Sequence, residues 1–266
     1  MFRQRLITGL ILAPIILLSI YYSNSVVFIG VTAVILIVCG IEWLQLIPVT
    51  QLGSQFLFVV CLLIALTLVR VIFYYWLGLG LLVWLLIVCA LCSFPKSQFL
   101  WGTPQAVVIL SIVLLPLFSQ SLISIYQMPD GKAFIVYLLF LVWGADIGGY
   151  FAGKLWGRHQ LIPTVSPGKT IEGVIGGSIL SAIVALLAYF YFQHNFKLML
   201  WIIMAIFVFI MALIGDLFIS MLKRRVHLKD TGHLIPGHGG ILDRLDSLIA
   251  AAPAFYAALC WLNQGT

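Results

Sequence analysis

Apolar runs long enough to cross a bilayer recur along this chain and leave few folds open to it. The first extends from Leu6 to Tyr22, and comparable stretches of Leu, Ile, Val and aromatic residues follow over the 266 residues. A hydrocarbon core of roughly 30 Å calls for about 20 apolar residues in helical form. Lipid offers no hydrogen-bond partners, so the backbone of such a run must bond to itself, as a helix or a closed barrel. A barrel would show short alternating strands, and that pattern is missing. Hydrophobic residues make up 63% and charged ones 8%, more apolar surface than a soluble chain of this size can bury. The expected fold class is therefore all-α, a polytopic integral membrane protein.

Nine spans are expected, at 6–22, 26–48, 55–73, 76–94, 105–126, 133–153, 171–192, 198–219 and 247–264. The weakest division is within 55–94, where Arg70 and the Gly78/Gly80 region mark either a turn or a polar flaw. No small-x-small cleavage site follows the first run, which reads as a retained helix rather than a signal peptide. With the N-terminus in the cytoplasm, eleven basic residues fall on cytoplasmic segments: Arg3, Arg5, Lys96, Lys154, Arg158, Lys169, Lys223, Arg224, Arg225, Lys229 and Arg244. Only Arg70, Lys132 and Lys197 fall outside. That asymmetry favours nine spans, N-in and C-out. The chain then reads as N-terminal membrane helices over 1–130 and a C-terminal membrane region over 131–266, the candidate for any catalytic role, whose loops 154–170 and 220–246 share the cytoplasmic face. Gly149 and Gly153 in the sixth span, and Gly173 and Gly177 in the seventh, have the spacing that lets helices approach closely.

Charge is concentrated in one place. Residues 215–246 hold nine of the 22 charged side chains, and charge beside a membrane is costly to keep without a function. The net charge of +6 reflects basic loops at a membrane and is poor evidence for nucleic-acid binding. Cys39, Cys61, Cys89, Cys92 and Cys260 all lie in apolar runs. They read as small buried residues, with no disulfide framework.

Asp146 and Asp216 lie within or at the end of spans, which makes each a candidate site residue. Asp243 and Asp246 are three apart. On one helical face they could bind a hard cation or cap a helix N-terminus. The run His238-Gly239-Gly240 after Pro236-Gly237 suits a compact loop whose N–H groups can face an anion. Upstream, Lys223, Arg224, Arg225 and Lys229 offer positive charge for phosphates or simply mark the inner face of the membrane, the better reading for Arg225. In the other loop, Ser166-Pro-Gly-Lys169-Thr170 resembles a P-loop only superficially. The first glycine of that pattern is replaced by Pro163, leaving a phosphate-binding Ser/Lys/Thr group at a helix start. His227, His233 and His238 lack the spacing of a zinc site.

In order, Ser220-x-x-Lys223-Arg224, Lys229-Asp230, Pro236-Gly-His238-Gly239-Gly240 and Asp243-Arg244-x-Asp246 resemble the signature of the phosphatidate cytidylyltransferase (CDP-diacylglycerol synthase) family. Trp143-Gly-Ala-Asp146 with Gly149-Tyr150, and Ser166 through Gly173, resemble further blocks of that family. The resemblance covers about residues 140–250. It implies conversion of CTP and phosphatidate to CDP-diacylglycerol and pyrophosphate with Mg²⁺, in an inner (cytoplasmic) membrane enzyme whose similar members are homodimers. It leaves open a second, monovalent cation. Under it Asp243, Asp246 and Asp216 would hold metal. Lys223, Arg224, Lys229, Lys169 and Arg244 would hold phosphates. Ser166, Thr170, Asp146, Asp230, His238, Gly239 and Gly240 would complete the site. The competing expectation is a transporter built on intramembrane carboxylates. The pattern of a CDP-alcohol phosphotransferase is absent.

Overall fold

The computed structural model describes residues 2–47, 51–192, 197–232 and 239–264. Its elements are α1 (Phe2–Tyr22), α2 (Ser25–Trp43), a 3-10 turn (Leu44–Leu46), α3 (Leu52–Val71), α4 (Phe73–Ser93), the short α5 (Gln98–Trp101), α6 (Pro104–Tyr126), α7 (Gly131–Trp156), β1 (Gln160–Ile162), β2 (Ser166–Thr170), α8 (Ile171–Tyr191), α9 (Leu198–Arg225) and α10 (Leu242–Gln264). Each of the nine expected apolar runs falls on a long helix. Eight of the described helices are long and apolar enough to cross a membrane, and α1 spans Phe2–Tyr22. The protein is thus an all-α polytopic membrane protein.

Local chemistry sets several helix starts. Asn24 Oδ1 accepts from Val27 N (2.9 Å) at the head of α2, and Thr103 Oγ1 accepts from Ala106 N (3.3 Å) before Pro104. Both are side-chain caps for otherwise unpaired N–H groups. The uncertain 55–94 stretch breaks at Ile72, which leaves helical geometry (φ −115°, ψ 34°) between α3 and α4. Gly80 is not part of that turn. It lies within α4, where the space a Cβ would occupy is filled by Leu117 of α6.

Three boundaries differ from the expected spans. α9 continues beyond 219 to Arg225, so Lys223 and Arg224 stand on its last turns rather than in a loop. α10 begins at Leu242, ahead of the apolar span expected from 247, which places Asp243 and Asp246 in its opening turns, as a shared helical face requires. Between α7 and α8 lies an antiparallel hairpin of β1 and β2, pairing Gln160 with Thr170 and Ile162 with Ser166. The expected end of the eighth span, at 219, fell just before the basic run Lys223-Arg224-Arg225. Here charges are tolerated in packed helices because they meet partners, as Lys223 meets Asp243 at 2.8 Å.

The connections alternate between two ends of the bundle. At one end, Lys132 Nζ donates to the carbonyls of Tyr21 (2.8 Å) and Ser23 (2.9 Å), and Tyr126 Oη donates to Ser23 O (2.7 Å). At the other, the Arg225 guanidinium donates to the carbonyls of Leu46 and Gly102. α10 forms the central post: Ile249 through Phe255 are buried throughout, and it packs on α9, α6, α7, α4 and α2. Aromatic residues fill the space around it, with Trp43, Trp84 and Phe218 in one cluster and Tyr137, Trp201 and Phe255 in another. Large apolar side chains on α2, α3, α4 and α8 remain exposed, as helices facing lipid would have them.

α7 and α8 touch through their backbones. A Cβ on Gly148 would come within 2.5 Å of Gly176 O, one on Gly177 within 2.8 Å of Ala145 O, and one on Gly173 within 2.9 Å of Gly149 O. Ser181 Oγ adds a bond to Leu141 O (3.2 Å). Such close approach supplies dispersion and weak C–H···O contacts where lipid gives helices no hydrophobic reason to associate. The glycine spacing read from the sequence does mark this interface. Gly176→Val should force the helices apart and cost about 2 kcal/mol, a loss of roughly 5 °C in the thermal midpoint of detergent-solubilised protein. Gly30→Ala, with open space around it, should leave the midpoint unchanged or raised; equal losses in both variants would sink the interface argument.

Candidate active site

The C-terminal half of α7, the β1–β2 hairpin, the start of α8, the C-terminal half of α9 and the start of α10 converge at the Arg225 end. Between them lies a cleft lined by Asp146, Tyr150, Lys169, Thr170, Phe209 and Ser247, among others. Its floor depends on the α7–α8 contact. Thr170 Oγ1 accepts from Gly173 N (3.1 Å) and so caps α8. The same side chain lies where a Cβ on Gly153 or Gly157 would sit. Glu172 secures the hairpin from below, accepting from Arg158 N (3.1 Å) and His159 N (3.2 Å) and pairing with His159 Nδ1 (2.7 Å).

Four carboxylates and three basic groups meet here. Lys169, on β2, is ion-paired with Asp216 on α9. Asp146 is exposed to the cleft and lies in electrostatic range of Asp216, Lys169 and Arg244. Asp246 is buried, within electrostatic range of Asp216, Asp146 and Lys223. α9 and α10 come this close because of Gly215: a Cβ there would sit 2.5 Å from Asp246 O and 3.0 Å from the Ala250 Cβ. With Asp243 and Lys223 counted, four carboxyl groups face three basic side chains. Acids crowded together in a partly dehydrated place favour a bound cation, which would relieve their mutual repulsion.

The two aspartates of the signature stand in different surroundings. Asp243 Oδ1 receives Lys223 Nζ at 2.8 Å, and its Oδ2 accepts from Thr231 N (2.8 Å) and Gly240 N (3.0 Å). Its oxygens are occupied in holding the 226–232 segment and the entry to α10. Asp246 accepts from Ser247 N (2.8 Å) and otherwise faces the acidic cluster. Among the described residues, no three His, Cys, Asp or Glu side chains form a ready metal cage.

Other expected residues divide in the same way. Arg224 Nε donates to Val165 O (3.2 Å) and its Nη1 to Leu228 O (3.4 Å), tying the hairpin to α9. Ser166 belongs to the ladder of β2. Lys229 and Asp230 stay exposed on the loop. Gly239 adopts φ +83°, a conformation that a side chain resists. The expected anion cradle needs correction at Gly240, whose N–H is already given to Asp243. His238 and His233, with Pro236 and Gly237, lie outside the described residues.

Sequence reasoning missed Glu42. This α2 residue is buried, and its carboxylate accepts from Ile241 N (2.9 Å) and Leu242 N (2.6 Å) at the head of α10. Its signal was present: a lone acid inside an apolar run deserves the same suspicion as Asp146 and Asp216.

Comparison with known proteins bears on this arrangement. The model of the Cytidylyltransferase family matches residues 3–262. The chain is 36% identical over 265 residues to the phosphatidate cytidylyltransferase of Pseudomonas aeruginosa, covering 98% of this chain and 97% of that one. It is also 36% identical to the protein of that name from Haemophilus influenzae, over 68% of this chain and 64% of the relative. A Staphylococcus haemolyticus phosphatidate cytidylyltransferase is 44% identical over 47% of this chain and 48% of its own. With a family match over residues 3–262 and a relative 36% identical over nearly its whole length, the chain belongs to the Cytidylyltransferase family.

Proposed function

We propose that this protein converts CTP and phosphatidate to CDP-diacylglycerol and pyrophosphate in phospholipid synthesis. The observation that carries the reading is the end-to-end relationship to phosphatidate cytidylyltransferases, and the cleft's charge suits the reaction. The transporter alternative falls with the family assignment. The reaction makes one bond, from a phosphatidate phosphate oxygen to the α-phosphorus of CTP, and breaks the α–β phosphoanhydride. The nucleophile is already anionic near neutral pH, so no strong general base is required. What the enzyme must do is hold two polyanions together and stabilise charge on departing pyrophosphate.

Lys169 and Arg244 are the basic side chains best placed to hold phosphates, since Lys169 lines the cleft and Arg244 is exposed within range of Asp146. Lys223 acts one step back, by fixing Asp243. Mg²⁺ suits this donor set, because it binds through one or two carboxylates plus substrate phosphates rather than in an all-protein cage. Asp216 and Asp246 would hold it, with Asp146 beside them, and it would supply Lewis-acid neutralisation of the triphosphate. Asp243, the third residue of the ligand set that the sequence suggested, would keep its backbone contacts instead.

We further propose that the site faces the cytoplasm in an N-in, C-out arrangement of nine spans in the inner membrane, where CTP is at hand and the lipid keeps its tails in the bilayer. A homodimer is the expected assembly.

Purified protein with labelled CTP, phosphatidate and Mg²⁺ should release CDP-diacylglycerol and pyrophosphate; the absence of both products beside a working control would refute the activity. Asp246→Asn should lower turnover by about a hundredfold or more while leaving the thermal midpoint unchanged or raised, because it removes one of several like charges. Full Mg²⁺-dependent turnover in that variant would remove the metal assignment. Asp243→Ala should instead destabilise the protein by about 3 kcal/mol, since it strands the buried Lys223 ammonium.

A further inference from the structure

Glu42 stands outside the signature, about 200 residues away from it in sequence, yet it holds the start of α10. Its two carboxylate oxygens are used separately, Oε1 by Ile241 N and Oε2 by Leu242 N. It is 4% exposed, and a carboxylate in so dry a place is tolerated only when its oxygens are met. The neighbouring backbone is shaped to it. A Cβ on Gly232 would approach Glu42 Oε1 to 2.7 Å, and a Cβ on Gly240 would also collide with the carboxylate. Asp243 grips the same strip of chain from the other side, through Gly240 N and Thr231 N. Two acids on different helices therefore fix four N–H groups, and the turn that follows carries Asp246, buried next to the cleft-lining Ser247 and within electrostatic range of Asp216.

We infer that Glu42 is a positioning residue for the nucleotidyl transfer: it caps α10 from α2 and so sets where Asp246 stands relative to Asp216. The inference rests on the activity proposed above. A Gln at this position keeps size and one acceptor, but it turns an NH₂ group toward the second N–H. One cap bond is lost and a donor faces a donor. Gly232→Ala reaches the same contact from the opposite side, pushing the carboxylate away without removing it.

The test is steady-state kinetics on the full-length protein in detergent, as a function of CTP and of Mg²⁺, for wild type, Glu42→Gln, Gly232→Ala and the double variant. The expected result is a fall in kcat of roughly tenfold or more in each single variant and a rise in the Mg²⁺ concentration needed for half-maximal rate. The double variant should be little worse than either single one, because both break one contact. A Glu42→Asp variant, too short to reach both N–H groups, should not restore the rate. If the variants lose thermal stability while folded enzyme keeps its kcat and its Mg²⁺ dependence, Glu42 merely supports the fold and the inference fails. Unchanged kinetics and stability would also overturn it. An inactive wild type, by contrast, would count against the proposed activity and would be recognised before any variant is compared.

Discussion

Lys223 and Asp243 meet at 2.8 Å where both are buried, and the order of the active end depends on that contact. Neither group could stay charged there alone, since removing a charge from water costs several kcal/mol unless a partner repays it. Together they join the last turns of α9 to the first turn of α10. The second oxygen of Asp243 then gathers Thr231 N and Gly240 N, so one ion pair organises a helix crossing and a loop. With these oxygens engaged, Asp246 is the signature aspartate left facing Asp216 and Asp146.

The helix contact behind the opposite wall of the cleft is made without charge. α7 and α8 meet through glycines, beside a cleft that Asp146 and Lys169 both line. Arg224 and Lys169 then connect the hairpin to α9. A rigid apolar contact sets the distance, and ion pairs at its rim select the alignment. Functional groups held on packed helices in this way are more sharply placed than groups on free loops.

Much of this could be read from the residues. Apolar runs fixed the helices because lipid leaves the backbone no alternative, and Gly149, Gly153, Gly173 and Gly177 marked the α7–α8 contact. The grouping of Asp146, Asp216 and Asp246 was harder to read, because spacing along a helix cannot tell which of two acids turns toward a neighbouring helix and which toward a backbone. Asp243 and Asp246 looked like a pair for that reason. Glu42 escaped because its partners are backbone N–H groups, which carry no letter in a sequence. The end of α9 at Arg225 was misjudged, because tertiary partners let charge continue into packed structure.

The bond between Glu42 and the head of α10 also bears on assembly. Synthesis runs from the N-terminus, so Glu42 emerges some 200 residues before Leu242, the last of its donors. During that interval α2 holds an acid with no cap to make. The contacts from Arg225 to Leu46 and Gly102 are delayed in the same manner. Sequence-distant closures of this kind come late and together. A chain without α10 therefore has no gathered set of carboxylates, and the enzyme's competence waits on that helix.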